Sequence, residues 1–142
     1  MNHRSLLSFA EFSANPVLVE LVVALNQYVS TGDYVGVCNV VKDEGPGSYV
    51  FIIPVSQSDR TDRADFEKLK TRLTEVAAAG GPRPEWLDLG TQGAYDAHGL
   101  RVPTEDMPSL TQMLSEKPSA RGWGSPKPTV DEYWRRVLGG GI

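Results

Sequence analysis

The side chains best suited to acid–base chemistry in this sequence are a histidine and an aspartate two positions apart. His98 and Asp96 lie in the stretch Gly-Ala-Tyr-Asp-Ala-His-Gly, residues 93–99. An aspartate can orient an imidazole for general-base catalysis, but aspartate and glycine are equally common in turns without any catalytic role. Because no nucleophile or metal ligand is near them in the sequence, we interpret the pair as turn residues and keep it as the candidate for catalysis.

Metal and cofactor chemistry is not indicated by any spacing in the sequence. With one cysteine and two histidines, the chain has no ligand pairs spaced as in zinc sites, and its carboxylates do not follow the calcium-loop pattern. Its glycines lack the spacing of nucleotide-binding loops. Cys38 stands in an apolar run, where a buried and inert thiol is expected rather than a nucleophile. The sequence therefore predicts no metal and no cofactor, and it favours a protein that is not an enzyme.

A tryptophan between two glycines is the clearest candidate for a binding contact. Trp123 stands two positions after Arg121 in a proline-rich stretch, residues 119–128. Tryptophan and arginine are enriched among the residues that dominate binding energy at interfaces. The other interpretation is that Trp123 anchors its own segment to the body of the protein.

The helix predicted over residues 16–30 is apolar over more of its circumference than a surface helix needs. Asn15 followed by Pro16 is a typical start signal. Val19 and Val23 lie beside the main apolar stripe, so they either pack under a sheet or meet a partner. The sequence thus adds Val19 and Val23 to the candidate contact residues.

These side chains must be positioned by the stretch from residue 34 to residue 55, around which the fold is expected to form. Two runs rich in β-branched and aromatic residues flank the turn-forming residues 43–47, which is the pattern of a β-hairpin. Both runs carry apolar residues on both faces, and strands of that kind need cover on both faces. We therefore predict a central hairpin at about residues 34–55. The predicted core residues are Val35, Val37, Phe51, Ile53, Leu69 and Leu73.

The remaining elements are predicted from start and stop signals. The signals indicate helices over residues 5–12 and 61–79, a helix from Thr104 and a last helix over 129–138. They also indicate short strands over 86–89 and 100–102 that pair as a hairpin. Strands and helices in this mixture indicate an α+β fold in which helices pack against a small antiparallel sheet. Glycine and proline concentrate after residue 79. We therefore predict a single domain over residues 1–142 that is loop-rich after residue 80.

The last predicted helix is amphipathic. It begins with a capping box formed by Thr129 and Glu132. Its apolar residues are Val130, Tyr133, Trp134, Val137 and Leu138.

Composition limits the partners and the compartment. The formal net charge is −4 and the pI is about 5.1, and the basic residues are scattered, which argues against binding nucleic acid through its phosphates. A single cysteine fits a reducing compartment, the start of the chain lacks a signal-peptide core, and the longest apolar run is far shorter than a membrane span. We expect a soluble, cytoplasmic protein that binds neither nucleic acid nor membranes.

Three functions stay open at this point. The first is a non-catalytic domain that binds another protein or itself, as an adaptor, an inhibitor, an immunity-type protein or an assembly protein; the missing catalytic motif and the aromatic segment favour it. The second is a small enzyme or ligand-binding domain with a pocket near His98. The third is a structural subunit of a larger particle. A deep pocket in which His98, Asp96 and another polar side chain converge would favour the second. A flat surface with an exposed Trp123 and aliphatic side chains of the first long helix would favour the first.

Overall fold

The computed structural model describes residues 4–7, 9–29, 37, 39–43, 47–58 and 60–116. The prediction of one domain over the whole chain extends beyond these ranges. Also outside them are Val35, Cys38, Arg121, Trp123 and the helix predicted over residues 129–138.

One sheet of five antiparallel strands is present in the described part of the chain. The strands are β1 (Arg4–Leu6), β2 (Asn39–Asp43), β3 (Ser48–Ser56), β4 (Glu85–Gln92) and β5 (Tyr95–Pro103). Their order across the sheet is β1-β2-β3-β5-β4, so β3 is central and β4 is an edge strand. The register aligns Val40 of β2, Phe51 of β3 and Leu100 of β5 across the middle of the sheet. The predicted α+β fold, an antiparallel sheet built on a central hairpin, is confirmed.

Four α-helices accompany the sheet within the described ranges. They are α1 (Phe9–Ser13), α2 (Pro16–Val29), α3 (Arg60–Ala78) and α4 (Met107–Ser115), the last preceded by a 3-10 turn at Thr104–Asp106. Helix α3 contacts β3, and α2 packs on α1, α3 and α4, so the helices form one layer. None of these helices is long and apolar enough to cross a membrane.

Sequence signals set one end of each long helix, as predicted. Asn15 caps α2, because its Oδ1 accepts a hydrogen bond from the Leu18 N–H at 3.2 Å. Just after the end of α3, Gly80 has a φ of +88°, and the Gly81 N–H donates to the Val76 carbonyl at 2.9 Å. This glycine-dependent cap gives partners to helix carbonyls that would otherwise have none.

The core lies between the helices and the face of the sheet that carries Phe51, the helix face. Side chains from all four helices and from alternate positions of β3 and β5 form one buried apolar cluster. Alternation is expected, because successive residues of a strand point to opposite faces. The predicted core residues within the described ranges are all buried: Val37, Phe51, Ile53, Leu69 and Leu73.

The beginning of the chain differs from the short helix predicted over residues 5–12. Residues 4–6 form β1, which pairs with residues 41–43 of β2, and helix α1 begins only at Phe9. Adding a strand satisfies backbone groups along the free edge of β2. The pairing joins segments far apart in the sequence, so no local pattern predicts it.

The short hairpin predicted from the strands at 86–89 and 100–102 is present, because Trp86 pairs with Leu100. Its strands are longer than predicted and take up most of the expected connecting loop. β4 and β5 both extend into it and meet at a tight turn at Gly93, where φ is +62°. Gly90, with a φ of +85°, lies at a bulge where the pairing of the two strands shifts register. Glycine permits these conformations at low cost. Residues that were predicted to form a loop therefore form the end of β4 and the beginning of β5.

Candidate binding site

A hollow of about 470 Å³ opens beside the hairpin of β4 and β5. His98 and Asp96 both lie on β5 and line it, so the structure brings the two candidates for catalysis to one site. Their interpretation as turn residues is wrong, because the turn lies at residues 93–94. The lining residues are Trp86, Leu87, Asp88, Gly90, Thr91, Asp96 and His98.

Aromatic rings from three elements meet at one wall of the hollow. The His98 ring stacks on the Phe66 ring of α3 with centroids 4.5 Å apart and an interplanar angle of 27°. Trp86 meets the same phenyl ring edge-on, with centroids 5.1 Å apart, and Lys70 Nζ lies 5.5 Å from its centroid. Aromatic pairs prefer such offset and edge-on arrangements. Phe66 thus fixes both the imidazole and the indole.

Asp96 supports the hairpin rather than an imidazole. Its Oδ1 accepts hydrogen bonds from Gln57 Nε2 at 3.0 Å and from Thr91 Oγ1 at 3.2 Å. These bonds connect β5 to the segment after β3 and to the bulged part of β4. The described residues include no hydrogen bond between Asp96 and His98, so the aspartate does not orient the imidazole as general-base catalysis would require.

The second carboxylate of the hollow is also engaged by the backbone. Asp88 Oδ1 accepts a hydrogen bond from the Gly90 N–H at 2.9 Å, which holds the bulge. Asp88 stands opposite His98 in the register of β4 with β5. With both carboxylates holding the hairpin, the hollow offers an aromatic wall and an acidic rim for binding. Its lining includes no serine or cysteine, and its one hydroxyl group, Thr91 Oγ1, donates to Asp96.

The outer side of β4 borders this hollow and pairs with no strand of the described residues. β4 is eight residues long, whereas β1 at the opposite edge of the sheet has only three residues. β4 also contains no proline that would block pairing. Trp86 faces the helix face and Leu87 the other face, and both are half-buried. An edge of this length presents a row of backbone N–H and C=O groups to an approaching segment.

The contact residues predicted on α2 are not at this site. Val23 is 5% exposed and belongs to the core, so it has almost no surface to offer a partner. Val19 is half-buried and packs against the same core. Three helices pack on α2, and this packing accounts for its broad apolar stripe. The other two predicted contacts, Arg121 and Trp123, lie outside the described residues.

Sequence reasoning missed the aromatic group around His98. The sequence places Phe66 on the inner stripe of α3 and Trp86 on a short strand, but no spacing rule connects either residue to His98. The alternation of apolar residues around Trp86 was the available signal, because it predicts a strand whose neighbour carries His98.

No group of three or more His, Cys, Asp and Glu side chains in the described ranges is arranged to hold a metal ion. Comparisons with protein-family models, with curated proteins and with solved structures found no match to this chain. The hairpin geometry is therefore the basis for inferring function.

Proposed function

We propose that this protein is a non-catalytic domain that binds another protein by taking up an extended segment of it along β4. The observation that carries the proposal is the eight-residue edge strand whose outer side is unpaired among the described residues, directly beside the hollow at His98. In strand addition, backbone hydrogen bonds supply affinity and side-chain pockets supply specificity. The edge of β4 would supply the affinity, and the hollow would supply the specificity.

The part of β4 before its bulge is the part that suits a partner strand. Edge strands are commonly protected from pairing by bulges, prolines or charges, and the register of β4 shifts between Asp88 and Thr91. Residues 85–88 pair regularly with β5 and therefore keep straight backbone geometry for a further strand. The aromatic wall beside them would take an apolar side chain, and the acidic rim would favour a basic neighbour.

A second candidate function is the binding of a small molecule in the same hollow. The volume of about 470 Å³ lies in the range of ligand pockets, and His98 is the polar group at its aromatic wall. The carboxylates of Asp88 and Asp96 can only accept hydrogen bonds, and Thr91 Oγ1 already donates to Asp96, so the hollow has few side-chain donors to fix a ligand. We therefore favour the protein-binding function, and with it a cytoplasmic protein that does not bind nucleic acid.

A peptide selected against the full-length protein from a random displayed library is expected to bind along β4. Such a peptide should slow hydrogen exchange at those N–H groups of residues 85–88 that point away from β5, because strand addition gives these groups acceptors. Amide exchange followed by NMR, with and without the peptide, measures this. Protection confined to the helices or to residues 117–142 would contradict binding at the edge strand.

Trp86→Ala is expected to weaken binding of that peptide by about 2 kcal/mol, or roughly thirtyfold, as truncation of a central aromatic contact does. His98→Ala should change the affinity by less than about threefold, because the ring lies flat on Phe66 and belongs to the inner strand β5. Lys68→Ala, on the exposed side of α3, is the control. Calorimetry measures each affinity, and thermal melting verifies that each variant is folded.

Comparing Trp123→Ala with Trp86→Ala distinguishes the two candidate protein-binding sites, the segment around Trp123 and the β4 edge. Binding lost in Trp123→Ala but kept in Trp86→Ala would place the contact in the segment with Arg121 and Trp123, and would exclude the edge strand. A small molecule whose binding is lost in His98→Ala would instead support the second candidate function.

A further inference from the structure

The face of the sheet opposite the helices, the second face, is largely apolar around its centre. Most of its central positions carry aliphatic residues, proline or glycine. Its polar residues include Asn39, opposite Ile52, and Arg101, opposite Val50. Arg101 Nε lies 3.1 Å from Asp43 Oδ2. The apolar residues of the second face are Val41, Val50, Ile52, Pro54, Leu87, Leu89, Ala97 and Gly99.

Four of these residues are buried, although the described helices pack on the helix face: Val41, Val50, Ala97 and Gly99. A Cβ placed on Gly99 would come within 2.8 Å of Val50 Cγ1 and 3.1 Å of Leu89 Cδ1. Val50 is fully buried and Val41 and Ala97 are each 7% exposed. None of these three belongs to the core cluster that the helices form. The second face therefore requires a cover other than α1 to α4.

Among the stretches outside the described ranges, only residues 117–142 are long enough to cover the second face. Residues 30–36 connect Val29 to Val37, and both of these belong to the core on the helix face. The other stretches outside the described ranges are short, except for residues 117–142. Extended, residues 117–128 can span roughly 40 Å, whereas two packed layers are about 10 Å apart. The segment is long enough to pass an edge of the sheet.

We propose that the amphipathic helix predicted over residues 129–138 packs on the second face, so that the sheet lies between two helical layers. Its apolar residues recur at the i, i+3, i+4, i+7 and i+8 spacing that places them on one side of a helix. That side would match the flat aliphatic surface around Val50. The proposal does not rest on the proposed function, because it is argued from the burial of the second face.

The accessibility of the second face tests the proposal in the full-length protein. A cysteine at the half-buried position 52, introduced as Ile52→Cys with Cys38→Ser, should react slowly with a thiol reagent. Adding Trp134→Ser should speed the labelling by at least about tenfold, because it weakens the cover and raises the population of the open form. Arg135→Ser, next to it on the polar side of the helix, should leave the rate unchanged. Fast labelling of the parent protein would overturn the proposal.

Disulfide trapping identifies the occupant even if Trp134→Ser fails to fold. Under mild oxidation, Ile52→Cys combined with Tyr133→Cys or Val137→Cys should give a cross-link within one chain, detected by mass spectrometry of the monomer. The pair with Arg135→Cys is the control and should cross-link much less. Disulfide-linked dimers, with protection that depends on protein concentration, would show that a second copy covers this face and would overturn the proposal.

Discussion

Replacing Phe51 with alanine is expected to lower the free energy of unfolding by about 3–5 kcal/mol, a large share of the stability of a typical domain. Phe51 is fully buried in the central strand. Val40 and Leu100 flank it in the register, and it belongs to the cluster that contains all four helices. Its removal would leave a cavity at the centre of the core, which neighbouring side chains fill only in part. Urea denaturation followed by fluorescence measures the loss.

Two matched variants make the Phe51 result interpretable. Phe51→Leu keeps most of the side-chain volume and should cost less than about 1.5 kcal/mol. Tyr95→Ala removes a ring that is 39% exposed on the neighbouring strand and should change stability by less than about 0.5 kcal/mol. A loss below about 1 kcal/mol for Phe51→Ala would show that the hairpin does not occupy the centre of the core.

Replacing Asn26 with alanine is expected to cost roughly 2–4 kcal/mol. Asn26 is fully buried in the last turn of α2, and its Oδ1 accepts a hydrogen bond from the Val37 N–H at 2.7 Å. A buried donor left without its acceptor costs about 1–3 kcal/mol, and loss of the amide group leaves a cavity as well. Denaturation measures the loss, and hydrogen exchange at Val37 locates it.

Glu20→Ala is the control for Asn26→Ala, because Glu20 lies on the exposed side of the same helix. Its effect should stay within about 0.5 kcal/mol. If Asn26→Ala left both stability and Val37 exchange unchanged, the hydrogen bond would not hold the segment that leads into β2.

The candidate site could be predicted only in part. The sequence singled out His98 and Asp96, and both line the hollow. They are strand residues rather than the expected turn residues. The catalytic alternative, in which Asp96 orients the His98 imidazole, has no support either, because Asp96 bonds to Gln57 and Thr91. Thr91 reaches Asp96 through the β4–β5 hairpin, and Gln57 reaches it from the end of β3. No spacing in the sequence indicates that Thr91 or Gln57 would contact Asp96.

The sequence by itself determined those elements whose signals act over a few residues. The Asn15 cap and the glycines after α3 each work through local backbone conformation and hydrogen bonds, which is why they were predictable. Apolar periodicity likewise predicted the helices α2 and α3 and the burial of Phe51, because it reports which side of an element must leave water.

Only the tertiary structure decided which distant segments meet. Residues 4–6 became a strand because β2 offered them an edge, although the same stretch reads as helical. Val23 became a core residue because three helices converge on α2, and Phe66 met His98 because α3 crosses the sheet beside β5. The physical reason is common to all three. Burial and pairing between distant segments contribute more free energy than local preference does. No local sequence signal indicates which distant segment a given segment will contact.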